Sequence, residues 1–260
     1  VIKTPILVVN LYLTKSKIKD LIAKNKKHLA ILIDPDKQKN HAKFLELIKK
    51  INLLNPSFIF VGGSTVQKED FETCITNIKT HSDIPVVIFP GSHHQLSPNA
   101  DGILFLSLIS GRNPDYLVGH QIEAAPFLKK MNIEVLPTAY ILIDGGTNSA
   151  VAYVSQTRPI PSEQTTIASN TAIAGEMLGK QLIFMDAGSG AKHPISAKMI
   201  TKVKQNIDIP LIIGGGIKDT QGVMTAFNAG ANVVVIGNKI EEDVDFLLDL
   251  IQLNKTNVNA

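Results

Sequence analysis

Residues 181–237 read QLIFMDAGSGAKHPISAKMITKVKQNIDIPLIIGGGIKDTQGVMTAFNAGANVVVIG, and this stretch decides the fold. Three short apolar runs stand in it: Gln181–Met185, Pro210–Ile213 and Asn232–Ile236. Runs of this length, apolar throughout, suit strands covered on both faces. The segments between them are longer and amphipathic, as helices should be. Pro194 is placed to open one helix at its first turn. Asp219 is placed to cap the next, which should stop at Gly230. Strand, helix, strand in repetition implies parallel βαβ units.

The same rhythm extends upstream. Leu29–Ile33, Phe58–Val61, Pro85–Phe89, Gly102–Leu106 and Val135–Leu142 bring the candidate strands to eight. Helices are expected over Lys37–Leu53, Val66–Thr80, Pro114–Met131 and Thr166–Leu178, the last ending before Gly179. Another is expected over Glu241–Leu253, with acids in its first turn. A basic N-terminal helix should span about 14–27, carrying Lys15, Lys17, Lys19, Lys24, Lys26 and Lys27. Eight strands in about 230 residues favour an α/β fold of the closed (β/α)8 TIM-barrel type over an open sheet. One domain is expected over 1–260, with the barrel at about 28–253.

Composition narrows the function. With 44% hydrophobic residues and a net charge of +3, the chain is neither disordered nor strongly cationic. Of 26 cations only Arg112 and Arg158 are arginines, the usual readers of bases and phosphates, which argues against nucleic acid. Cys74 is the one cysteine, so no disulfide scaffold exists and a reducing compartment is expected. No apolar run reaches the length of a membrane span, and Ile6–Val9 is too short for a signal-peptide core. A cytoplasmic protein is expected, with peripheral membrane contact through the basic cluster left open beside a plainly solvated helix face.

One gap breaks the rhythm. Pro90-Gly-Ser-His-His-Gln-Leu-Ser-Pro-Asn-Ala-Asp101 has two prolines and little room for a crossover helix. It reads either as a shortened helix or as a side opening in the barrel wall.

Active sites of such barrels sit at the C-terminal ends of the strands. The last three strands are followed by Gly188-Ser189-Gly190, Gly214-Gly215-Gly216 and Gly237-Asn238. Glycines let a backbone approach an anion and present its N–H groups, so three such ends point to a phosphate-bearing ligand. The first strand ends in Leu32-Ile-Asp-Pro-Asp-Lys37. Asp36 reads as a helix cap, and Asp34 as a hard oxygen ligand for Mg²⁺ shared with substrate phosphates. Ser64, after the second strand, can add a hydroxyl oxygen; Thr65 is the competing assignment. Asp186 lies near the cradle, as a general base or as a partner for a substrate hydroxyl. Two phosphorylated substrates fit a mouth divided in this way.

These motifs together resemble the geranylgeranylglyceryl phosphate synthase family. The resemblance is carried by Leu32-Ile-Asp-Pro-Asp-Lys37, Val61-Gly-Gly-Ser-Thr65, Gly188-Ser-Gly-Ala191, Ile213-Gly-Gly-Gly-Ile217 and Ile236-Gly-Asn238. It extends through Phe89-Pro-Gly-Ser92, Ser107–Pro114 and Pro137–Gly146, segments similar to the family's second group, and covers roughly 28–245. The resemblance implies ether-bond formation between sn-glycerol 1-phosphate and a polyprenyl diphosphate, with Mg²⁺ as cofactor. It implies metal ligands at Asp34 and Ser64. It implies glycerol-phosphate contacts at Phe184, Met185, Asp186, Ala187, Gly188, Ser189, Gly190, Ala191, Gly215, Gly216, Gly237 and Asn238. It implies a homo-oligomer, and it tips the gap after Phe89 toward an opening for the prenyl chain, since the family lacks the third outer helix. The family usually reads Tyr-Leu-Glu where this chain has Phe184-Met-Asp186, which loses one hydroxyl and shortens one acid. A basic residue found near the first strand in some bacterial relatives is replaced by Leu32.

Other residues complete the reading. Arg112, His120 and Tyr140 are candidates for diphosphate or prenyl contact, with surface or core placement as the alternatives. His93 and His94 read as a polar loop, and Cys74, Phe44, Phe71 and Phe227 as core. A phosphosugar isomerase or lyase is the second enzymatic reading, weakened because no strand-end lysine stands out. A phosphometabolite-binding barrel without activity is the third, supported only by Phe184.

Overall fold

The computed structural model describes residues 18–23, 26–64, 66–237, 239, 240 and 246–257. Eight parallel strands close into a barrel in sequence order, β1 pairing with both β2 and β8. They are β1 His28–Ile33, β2 Phe58–Val61, β3 Val86–Ile88, β4 Gly102–Leu108, β5 Glu134–Leu142, β6 Leu182–Asp186, β7 Leu211–Gly214 and β8 Val233–Ile236. All eight expected strands are present, with ends shifted by two residues at most.

The strands are apolar on both faces because each face has its own core. Ala30, Phe58, Phe60, Val87, Leu104, Leu136, Leu182, Phe184, Ile212 and Val233 fill the barrel interior. The alternate residues, among them Ile31, Ile59, Ile141, Ile183, Met185 and Ile213, pack outward under the helices. Each large side chain fully buried this way stabilises the fold by about 1.5–3 kcal/mol. Below the barrel, α1 Ile18–Ala23 inserts Ile18 and Ile22 into the interior cluster. The Glu134 carboxylate pins this short helix, accepting from Ile18 N at 2.6 Å and Lys19 N at 3.1 Å. The helix described is shorter than the expected 14–27; residues 14–17, 24 and 25 lie outside the described residues.

The outer ring departs from expectation where local chemistry intervenes. The helix expected over Lys37–Leu53 is split into a 3₁₀ turn, Pro35–Lys37, and α2, His41–Leu54. Asp36 is therefore not the cap: Asn40 caps α2, accepting from Lys43 N at 3.1 Å, and Asp34 accepts from Asp36 N at 3.1 Å. α3 spans Lys68–His81. After β4 comes a π turn, Asp115–Gly119, continuing into α4, His120–Leu128, which carries Pro126 inside it. Between β5 and β6 lie two helices, α5 Ala150–Ser155 and α6 Thr165–Met177, where one was expected. α7, Ala197–Lys204, is capped by Ser196, so Pro194 precedes the helix and does not open it. Asp219 caps α8, Thr220–Asn228, as expected, accepting from Gly222 N at 2.7 Å. α9 runs over Phe246–Asn257; residues 241–245 of the expected helix lie outside the described residues. Cys74 is buried in the core, and burial pushes its thiol up to about 12.

The third outer helix is missing. Residues 89–101, all described, form only turns and bends between β3 and β4. No described helix is long and apolar enough to cross a membrane.

Candidate active site

A cavity of about 390 Å³ opens at the C-terminal ends of the strands. Its position follows from strand alternation. Inward positions at the ends of β5 and β6 present Tyr140, Phe184 and Asp186 to the cavity, while Met185 and Ala187 turn outward into the helix-facing core. The expectation that Met185 and Ala187 contact phosphate is thus corrected for their side chains. Counting by twos from Phe184 would have separated the two sets.

One side of the mouth is a glycine cradle. Gly188, Ser189, Gly190 and Ala191 after β6, Gly214–Lys218 after β7, and Gly237 and Lys239 after β8 line it. Gly188, Gly190, Gly215 and Gly216 all have left-handed φ, between 71° and 88°. Gly215 is the most constrained chemically. A Cβ there would sit 2.6 Å from Asp186 Oδ1 and 2.8 Å from the backbone nitrogens of Ala187 and Gly188. Gly215→Ala combines that clash with about 1–2 kcal/mol of left-handed strain. It is expected to weaken binding of a phosphate ligand by on the order of tenfold, measured by calorimetry. Asn238 lies outside the described residues.

Lys218 and Lys239 also line the cavity, so two strand-end lysines do reach the site, contrary to the sequence reading. They stand beside the cradle, where Lys218 Nζ donates to Lys192 O at 3.4 Å and Lys239 Nζ lies 6.0 Å from the Phe246 ring centroid.

Asp186 is held from two sides. Tyr140 Oη donates to its Oδ2 at 2.5 Å, and Gly188 N donates to Oδ1 at 2.8 Å. Burial raises its pKa from the ordinary carboxylate value, and the two donated hydrogen bonds act in the opposite direction. Burial and the neighbouring carboxylate push the Tyr140 phenol well above its ordinary value, so it remains a neutral donor. Beneath the acid lies an aromatic group. Phe184 stacks on Phe89 with centroids 5.0 Å apart and meets Tyr140 edge-on at 5.6 Å. Phe184 is 1% exposed, so its part in the site is a ring face and not a polar contact. Phe89 had no assigned role in the sequence.

The opposite side of the mouth is acidic. Asp34, Gly63 and Ser64 line the same cavity. A Cβ on Gly63 would lie 2.6 Å from Asp34 Oδ1, which shows how closely the β1 and β2 ends approach. Burial raises the Asp34 pKa, while the Asp36 N–H lowers it. Thr65, the competing hydroxyl, lies outside the described residues. Leu32 forms the seam between the two sides, its side chain 3.4 Å from a Cβ built on Gly237.

From this mouth the cavity runs out through the wall that lacks a helix. Leu96, Ile103, Phe105, Tyr116, His120, Gln121 and Ala124 line it there. His120 sits in this wall, its pKa lowered by burial and then by nearby His93. Arg112 does not join the site. It is exposed, its guanidinium donates to Gly111 O at 2.7 Å, and it is absent from the cavity lining. His93 is more than a polar loop residue: its Nε2 lies 2.7 Å from Glu123 Oε2, an approach across 30 positions that no sequence spacing announces. α5 covers the cradle from above with Ala150, Val151 and Val154.

Comparisons with known proteins span nearly the whole barrel. A model of the PcrB family matches residues 20–255. Geranylgeranylglyceryl phosphate synthase of Flavobacterium johnsoniae is 52% identical over 85% of this chain and 90% of the relative. The synthase of that name from Pyrococcus horikoshii is 39% identical over 86% of this chain and 87% of its own length. Among solved structures, (S)-3-O-geranylgeranylglyceryl phosphate synthase from Thermoplasma acidophilum, in complex with sn-glycerol-1-phosphate, superposes with a TM-score of 0.87. It shares 32% identity and covers 95% of this chain and 100% of that one.

Proposed function

The chain belongs to the PcrB family, and we propose that it joins sn-glycerol 1-phosphate to geranylgeranyl diphosphate or a related polyprenyl diphosphate. The products are an ether lipid phosphate and diphosphate. One observation carries this reading: a single cavity connects a glycine cradle, a carboxylate corner and an apolar side opening where an outer helix is missing. The cradle suits glycerol phosphate, the corner suits a diphosphate, and the opening suits a chain too long for the barrel.

The donor set at the corner fits Mg²⁺. Among the described residues no group of three or more His, Cys, Asp or Glu could hold a metal ion by itself. One carboxylate, Asp34, and one hydroxyl, Ser64, are what a cation shared with a diphosphate needs, its remaining ligands being phosphate oxygens and water. When bound, Mg²⁺ neutralises charge on the departing diphosphate.

The chain's own residues supply the rest. The cradle and Lys218 fix the acceptor's phosphate, which points its free primary hydroxyl toward Asp186. Asp186 keeps a lone pair on each oxygen after accepting from Tyr140 and Gly188, so it can accept the hydroxyl proton. The rings of Phe89, Tyr140 and Phe184 offer π faces to positive charge developing on the allylic carbon. Positioning two reactants in one cavity accounts for much of the expected rate. Peripheral membrane contact and association of copies belong to the same reading, since the donor is a lipid and Val118, Ile122 and Phe127 are exposed beside the opening.

Incubation with labelled geranylgeranyl diphosphate, sn-glycerol 1-phosphate and Mg²⁺ should yield a labelled ether lipid phosphate. Absence of product across donors from geranyl to heptaprenyl diphosphate would refute the assignment.

A further inference from the structure

The wall that lacks a helix is closed at one point by a side-chain pair. His93, on the connection between β3 and β4, meets Glu123 on α4 with Nε2 and Oε2 2.7 Å apart. His93 lines the cavity, as do Leu96, Ile103, Phe105 and Ala124 on the apolar wall near it. The base of the connection is fixed independently. Buried Gln95 accepts from Gly91 N at 2.9 Å and donates to Gly63 O at 2.8 Å. A Cβ on Gly91 would approach Ser64 Cα to 2.9 Å, so this base is pressed against the β2 end.

Both lips of the closure carry an unsatisfied polar atom. His93 Nδ1 on one side and Gln121 Oε1 on the other are buried without a hydrogen-bond partner. Buried polar groups are normally paired, and a wall meant to stay shut would be expected to pair them. Opening would bring both to water. The pair that holds the wall is also weak, because Glu123 is 59% exposed and side-chain contacts so open to water contribute little.

We propose that His93 and Glu123 form a latch across the prenyl groove, opening to admit a geranylgeranyl chain and staying shut over a geranyl chain. The proposal rests on the prenyl-transfer reading and adds to it a residue pair that discriminates donors by length. Burying the two extra isoprene units of the longer donor contributes more free energy than an exposed side-chain pair, so donor binding suffices to open the latch. The shorter donor fits within the barrel mouth and leaves the wall in place.

The test compares kcat/KM for geranylgeranyl and geranyl diphosphate as a ratio, with sn-glycerol 1-phosphate fixed. Glu123→Ala removes the latch and should raise the ratio severalfold by favouring the longer donor. A His93→Cys/Glu123→Cys double variant, bridged by a short bis-maleimide, holds the wall shut and should lower the ratio by on the order of tenfold. Native Cys74 is buried, with its thiol pushed up to about 12, and does not compete for the reagent. Affinity for sn-glycerol 1-phosphate should be unchanged in both, which separates a latch from general damage. An unmoved ratio in either protein overturns the latch while the unmodified chain remains active. An unmodified chain inactive on both donors overturns the prenyl-transfer reading itself.

Discussion

Asp34→Ala is expected to lower turnover by on the order of a thousandfold or more, because it removes the one carboxylate at the diphosphate corner. Affinity for sn-glycerol 1-phosphate should change little, since the cradle is built from the ends of β6, β7 and β8. Asp34→Asn separates charge from shape. Burial raises the Asp34 pKa, so the folded state favours the protonated form. The stability this group contributes is present below its unfolded pKa and is lost as pH rises through the raised folded value. At neutral pH and without metal, Asp34→Asn should therefore melt slightly higher than the unmodified chain while being as inactive as the alanine variant. A variant that melts lower, or that turns over normally, would remove Asp34 from the site.

The second large effect falls on Asp186. Asp186→Asn is expected to lower kcat by about a hundredfold to ten-thousandfold, the range in which a positioned general base contributes. The pH profile gives a finer test through Tyr140. A base must be ionised to act, so activity should fall on the acid side as Asp186 takes up a proton. Burial moves that limb upward from the ordinary carboxylate value, and the hydrogen bond from Tyr140 holds it down. Tyr140→Phe removes the restraint, so the acid limb should move to higher pH. A limb that stays in place, or moves down, would show that Asp186 is not the titrating base.

Much of this site could be read from the chain because its signals are local. The eight strands are continuous apolar runs, and they are so because each is buried both inside the barrel and under a helix. Pro90 and Pro98 make a weak crossover legible, as a shortened helix or an opening, and the family resemblance decides for the missing helix. The glycine cradle was legible because its backbone conformations favour glycine. What stayed hidden depends on register or on distant partners. Met185 turns outward because strand positions alternate, a pattern present in the sequence but masked when every residue is apolar. Asn40 took the capping role given to Asp36 because the chain makes a separate turn at Pro35 before α2 begins. Lys218 and Lys239 follow glycine loops whose path brings them back over the cavity. The rarity of arginine draws attention to Arg112, but rarity has no geometric content; its guanidinium satisfies a neighbouring carbonyl. The His93–Glu123 pair and the Tyr140–Asp186 pair join residues on different barrel segments, so no spacing along the chain could reveal them.

The division of one mouth into a cradle for the acceptor and a corner for the donor is tested most directly by calorimetric titration of sn-glycerol 1-phosphate. The proteins to compare are the unmodified chain, Asp34→Ala and Gly215→Ala. Asp34→Ala should bind within about twofold of the unmodified chain, and Gly215→Ala should bind more weakly by on the order of tenfold. Equal loss in both variants, or loss confined to Asp34→Ala, would contradict the division.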